Sequence, residues 1–180
     1  RKLWSEPSEV VVNQHNSGKP IFPFVVFTSA ESHFMIAEAI TKGLASGDAQ
    51  SYYQTGIRKA MSLWDVSSAD IENYIATESM ALLNGSTDQN LEKIATQRWI
   101  ALFTNGYEAW SVVRDTGYPT ELSAGVTDSD IFVLGDTNGV YPQRHRYGSG
   151  PYNTNGAQVE QANSVQGPDK QATKLWWANY

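Results

Sequence analysis

Cysteine is missing from all 180 residues. That absence removes disulfides, thiolate metal ligands and cysteine nucleophiles together, and leaves the redox compartment open. No apolar run approaches the roughly 20 residues that a helix needs to cross a bilayer. Positive charge is scarce as well: 13 Lys and Arg face 19 Asp and Glu, for a net charge of −6, and the densest basic run is QRHR at 143–146. A nucleic-acid binder needs a basic stripe to displace counterions from phosphates, so nucleic acid is not an expected partner. The three histidines, His15, His33 and His145, form no HxH or HxxxH pair, and no metal site is expected from them. The chain opens RKLWSEP, with neither methionine nor an apolar leader, and is expected to be a processed product or a fragment.

What is present is an apolar fraction of 41%, enough for one domain with a core, and a heavy aromatic load of six Trp and nine Tyr. Such a load suits bulky helix packing or a surface that stacks on flat ligand faces. Residues 1–23 read as irregular, with Val10, Val11 and Val12 the one strand-like run. From Thr28 the period turns helical. Thr28 or Ser29 caps SAESHFMIAEAITKGL, with Glu31 in its first turn, and Gly43 and Gly47 close it. Asp48 caps a second helix whose inner face is Tyr53, Ile57, Ala60, Met61 and Trp64. Ser67 or Ser68 caps a third, with Ile71, Tyr74, Ile75 and Leu82 inward, stopped by Asn84-Gly85. Thr87 or Asp88 caps a fourth that runs on through Trp99 and Phe103. Trp99, Phe103, Gly106, Trp110 and Val113 then continue as one stripe, in which Gly106 either admits a close neighbour or breaks the helix in two. Two capped hairpins about forty residues apart resemble a helix-pair solenoid. The reading is therefore mainly α, helical over about 28–118 and irregular over about 119–180, with a small helix at 157–165 and an apolar terminus, TKLWWANY, that docks on the core.

No catalytic constellation stands out. Asp136, Asn138 and Gly139 in GDTNG share part of a calcium loop, but the twelfth position is Tyr147 rather than glutamate, and a hairpin turn is the better reading. GSG at 148–150 lacks the spacing of a nucleophile elbow. Glu108 and Asp115, seven apart on a helix, would stand roughly 10 Å from each other. That overshoots the ~5 Å of a retaining glycosidase pair, and Arg114 beside Asp115 keeps that acid ionised.

Four ordered blocks nevertheless resemble a known family. AESHFMIAEAITKGL supplies Ala30-Glu31 and Ala37-Glu38-Ala39; YYQTGIRKAM supplies Tyr53, Gly56 and Ile57. QRWIALFTNGYEAWSVVRDTGYP supplies Gln97, Trp99, Phe103, Gly106, Glu108, Ala109, Trp110, Arg114, Gly117 and Pro119, and YPQRHRY…KLWWAN supplies Pro142, Arg144, Tyr147 and Trp176-Trp177. The series resembles the carboxy-terminal part of the SusD/RagB-like proteins, in particular their divergent SusD-like subgroup. It departs from the pattern at Asp115, where a second arginine is common, and at Gly148, where a proline usually follows the tyrosine.

The resemblance implies a surface-exposed outer-membrane lipoprotein of Bacteroidetes type that binds glycans or other nutrients without catalysis or cofactor. It implies an α-superhelix of tetratricopeptide-like hairpins carrying long irregular loops, and a SusC-like TonB-dependent transporter as partner. The lipid-bearing cysteine and the first helical region of that family are absent here, so the membrane would be reached only through an anchor outside this chain.

Glu38, Glu108, Trp110 and Arg114 are expected to form a structural ion and hydrogen-bond network, since buried charges must pair. Ligand contact is expected from Tyr118, Tyr141, Tyr147 and Tyr152, with Arg144, Asn153 and Asn155 as polar neighbours. Of Trp176 and Trp177, one should anchor the terminus and the other face solvent. The alternative function is a helical-repeat scaffold that binds only protein; recognition of a polysaccharide separates the two.

Overall fold

The computed structural model describes Val11, residues 25–125, Thr137 and residues 139–178. Among the described residues there are seven α-helices and no strand: α1 (Ser29–Thr41), α2 (Ala49–Leu63), α3 (Ser68–Thr77), α4 (Thr87–Ala101), α5 (Gly106–Thr116), α6 (Thr120–Ser123) and α7 (Ser149–Gln166). Two 3-10 turns, Ser79–Ala81 and Trp176–Ala178, complete the set. Of the strand-like valine run only Val11 is described, and it is helical. The apolar run at 131–134 and most of GDTNG lie outside the described residues.

The helix starts follow their capping chemistry. Thr28 and Glu31 close a reciprocal box: each side chain accepts from the other's backbone N–H at 3.2 Å. Ser67 caps α3 by accepting from the Asp70 N–H, whereas Asp48 stands at the start of α2 without a side-chain cap bond. The cap of α4 stands one residue before the expected Thr87 or Asp88. Ser86 takes that role because Gln89, three residues on, accepts from its backbone N–H at 2.9 Å.

The α1–α2 hairpin is the centre of the core. α1 packs on α2 and α4, and α4 on α5. Phe34 and Tyr53 are wholly buried, with Ile57, Ile71, Ile75 and Ile94 around them. Each such side chain contributes about 1.5–3 kcal/mol by leaving water. Gly56 allows the closest approach: a Cβ there would lie 2.6 Å from the Phe34 ring.

The third helix is shorter than its sequence pattern. It stops at Thr77, the backbone turns extended at Glu78, and Leu82, expected inward, is 38% exposed. Side chains from α2 and α4 compete for the carbonyls that a longer helix would have used. Tyr53 donates to Met80 O at 2.5 Å, Gln50 to Ala81 O at 2.9 Å, and Lys93 Nζ to the carbonyls of Ser79 and Leu82 at 2.9 and 2.6 Å. Gln50 also accepts from the Leu83 N–H.

The stripe from Trp99 to Val113 is likewise divided. α4 ends at Ala101, Asn105 caps α5 by accepting from the Glu108 N–H, and Gly106 is the first helical residue, with open space at its Cβ position. Phe103 therefore turns outward, 57% exposed, and meets Trp64 edge-on, while Leu102 is buried in its place with Ala95 and Val112. Gly117, at φ +75°, closes α5 in the left-handed conformation.

The second half is less irregular than expected. α7 is 18 residues long, not a short helix at 157–165, although it is interrupted at Asn155 (φ −150°, ψ 38°). Pro151 falls in its first turn, where the missing N–H has no helical acceptor to lose. Val159 is its one buried residue, so hydrogen bonds rather than apolar packing fix its position.

Candidate functional site

On α5, Tyr107, Trp110 and Arg114 are spaced three and four apart and share one side of the helix. The segment after Gly139 lies against them: Trp110 Nε1 donates to Pro142 O at 2.7 Å, and Arg114 Nη1 to Gln143 O at 2.9 Å. These two bonds hold His145 between the rings of Tyr107 (centroids 5.9 Å apart) and Trp110 (5.3 Å). The Arg114 guanidinium lies over Trp110 at 4.4 Å and over Trp177, from the terminal segment, at 4.7 Å. The result is a continuous stack, Tyr107–His145–Trp110–Arg114–Trp177. Its ends face water: Tyr107 is 72% exposed, Trp177 is also exposed, and Trp176 beside it is 79% exposed. Flat apolar faces flanked by donors are what stacking on a sugar or a planar ligand requires.

Arg144, Tyr147 and Tyr152, expected as ligand contacts, do come together, but around an acid. Arg144 Nη2 lies 3.0 Å from Asp169 Oδ1, and both side chains are almost fully buried, at 6% and 5% exposure. The Tyr147 N–H donates to the same oxygen at 3.1 Å, and Tyr152 Oη to Oδ2 at 2.8 Å. Gln166 Nε2 donates to Tyr147 Oη at 3.0 Å, and the Arg144 guanidinium covers the Tyr147 ring. This hub ties the 141–147 segment to α7 and to the turn that follows it. No sequence pattern marks Asp169, which is one acid in a PDK turn.

The other expected contacts scatter. Tyr118 packs against the Ala95–Leu102–Val112 cluster, and Tyr141 is half-buried, with its hydroxyl pKa raised by burial. Asn153 and Asn155 are exposed on α7.

The expected structural network divides in two. Trp110 and Arg114 belong to the stack. Glu38 instead pairs with Lys42 one turn along and with Arg98 of α4 at 3.8 Å. Glu108 joins neither pair. It lies near enough to Glu31 to raise the pKa of that buried carboxyl, which desolvation raises first and the Thr28 bond and Arg98 lower. Among the described residues no group of three or more His, Asp or Glu is placed to hold a metal.

Apart from the stack, a concavity of about 740 Å³ lies between α2 and α4. Ile57, Met61, Trp64, Trp99 and Phe103 line it, Val11 covers part of it, and Gln97 and Asp65 are its polar groups.

The sequence pattern of the SusD-like_2 family, described as "Starch-binding associating with outer membrane", matches residues 3–147. Among solved structures, the Bacteroidetes AC2a SusD-like protein is 29% identical with a TM-score of 0.75, over 87% of this chain and 30% of its own. A SusD homologue from Bacteroides uniformis is 28% identical with a TM-score of 0.75, over 88% of this chain and 38% of its own. A chitin-binding SusD homologue from Flavobacterium johnsoniae is 28% identical with a TM-score of 0.69, over 84% and 36%. The chain thus spans about a third of the length of these relatives. No curated protein matched.

Proposed function

The chain belongs to the SusD-like family, and on that premise we propose that it captures an oligosaccharide at the bacterial cell surface and hands it on, uncleaved, to a SusC-like TonB-dependent transporter. The observation that carries this reading is the exposed stack on α5, with its indole and phenol faces set beside arginine and histidine donors. The chitin-binding relative supports a glycan over other nutrients. On this reading the protein stands at the outer membrane, as the family's description has it, and no helix among the described residues is long and apolar enough to cross a membrane. The ligand side chains on this reading are Tyr107, His145, Trp176 and Trp177, rather than Tyr147 and Tyr152, which belong to the Asp169 hub, or Tyr118, which packs on the Ala95–Leu102–Val112 cluster.

Affinity electrophoresis of this chain through native gels containing plant, host and microbial polysaccharides tests the reading. Retardation by at least one polymer is expected, and Tyr107→Ala and Trp176→Ala should each weaken it. Unchanged mobility in every gel would remove the glycan site from these residues.

The α2–α4 cleft favours a second reading, a scaffold that binds a protein segment through apolar contacts. Association with a transporter that persists in excess soluble glycan, but is lost in Ile100→Glu on the cleft wall, would support it.

A further inference from the structure

Arg114 is held in an unusual way for a half-buried cation. Its guanidinium lies over two indole rings and gives one N–H to the Gln143 carbonyl, yet pairs with no carboxylate among the described residues. Other cations in this acidic chain do pair: Arg58 with Glu72, Arg98 with Glu38, and Arg144 with Asp169. Indole faces orient a guanidinium and attract it, but they leave its full charge in place. The planar fork then keeps donors that suit a carboxylate in bidentate geometry. Lys174, three residues before Trp177, is exposed and also unpaired among the described residues. A positive charge fixed between aromatic faces suits a sugar ring that carries its own carboxylate.

We propose that the stack selects uronate-containing oligosaccharides, with Arg114 binding the carboxylate while Trp177 and Tyr107 stack on sugar faces. The proposal rests on the glycan-binding reading and narrows it from neutral polymers to acidic ones. Because the chain carries a net charge of −6, general electrostatics opposes such a ligand, so binding would have to come from this local arrangement.

The test compares polygalacturonate with the same polymer highly methyl-esterified, using native affinity gels and titration calorimetry on this chain, with dextran as a neutral control. The esterified polymer keeps the backbone and loses the charge, so the comparison needs no variant. Retardation by polygalacturonate, weaker by about tenfold or more after esterification, is the expected result, in line with one charge-assisted hydrogen-bonded pair. Arg114→Gln should reproduce that loss, and Arg114→Lys should keep part of the binding, each judged on protein that melts as wild type does. Equal binding of both polymers, or binding of neutral glycans alone, overturns the uronate proposal and leaves the glycan reading standing. An Arg114→Gln protein that binds polygalacturonate as tightly as wild type also overturns it. Binding of no polysaccharide at all overturns both.

Discussion

Arg144 and Asp169 meet at 3.0 Å with both side chains withdrawn from water, 25 residues apart in the chain. The pair joins two segments that share little apolar contact, since α7 buries only Val159. Charges out of water are costly alone, so removing one partner is worse than removing both. Asp169→Asn is expected to destabilise this region by about 3–5 kcal/mol, whereas Arg144→Met combined with Asp169→Leu should recover much of that loss. Urea titration, with amide exchange to localise the effect, checks this. Faster exchange in α7 with little change in α1 and α2 is expected, and uniform acceleration across all helices would contradict a local clamp.

Gly56 on α2 is the counterpart in the apolar core. Alanine favours a helix interior over glycine by about 1 kcal/mol, so propensity alone predicts that Gly56→Ala stabilises. The new methyl would stand 2.6 Å from the buried Phe34 ring, and overpacking of that kind costs about 1–3 kcal/mol. The net result should be a lower melting temperature, partly restored by Phe34→Leu in the same chain. An increase in the single variant would mean that Phe34 moves aside freely.

The helices were legible because their signals are local: an apolar period and a capping residue announce α1 and α2 without knowledge of the rest of the chain. The errors share another origin. Leu82 turns outward because Gln50, Tyr53 and Lys93, from elsewhere in the sequence, take the carbonyls near it. Asn105 divides a stripe that looks continuous when only apolar spacing is read. At the site, the fold brings Arg144, Tyr147 and Tyr152 together around Asp169, which no spacing links to them. The stack on α5 was hidden for the same reason. Tyr107, Trp110 and Arg114 follow a helical rhythm, while His145 and Trp177 reach them only through the fold.

Glu31 should make stability depend on pH. Burial raises its carboxyl pKa, helped by Glu108 and opposed by the Thr28 bond and Arg98. A carboxyl whose folded pKa lies above its unfolded value binds its proton more tightly in the native state. Its contribution is fully present below the unfolded pKa and fades as pH rises through the folded one. Glu31→Gln keeps an acceptor for the Thr28 N–H, as Gln89 does for Ser86, and removes the titration. Wild type should therefore gain on the variant as pH falls from 7 toward 4. Melting curves of both across that range check it, and a constant difference would show that Glu31 does not titrate there.

Tyr53 is wholly buried, and its hydroxyl reaches both the turn after α3 and the backbone of α4. It donates to Met80 O at 2.5 Å and lies 3.3 Å from Lys93 O, and burial raises its pKa far beyond the ordinary phenol value, so it remains a donor at any pH the fold survives. Tyr53→Phe preserves the ring packing against Phe34 and strips only this donor. Met80 O would then be left without that partner, at a cost of about 1–2 kcal/mol. Because the same carbonyl run is also held by Gln50 and Lys93, the bend after α3 should persist in the single variant. Adding Gln50→Leu removes the second anchor, and the double variant should lose more than the sum of the two single losses, since both side chains restrain one short segment. Denaturant titration of the two single variants and the double variant measures that coupling. Strict additivity would mean that Tyr53 and Gln50 hold the bend independently.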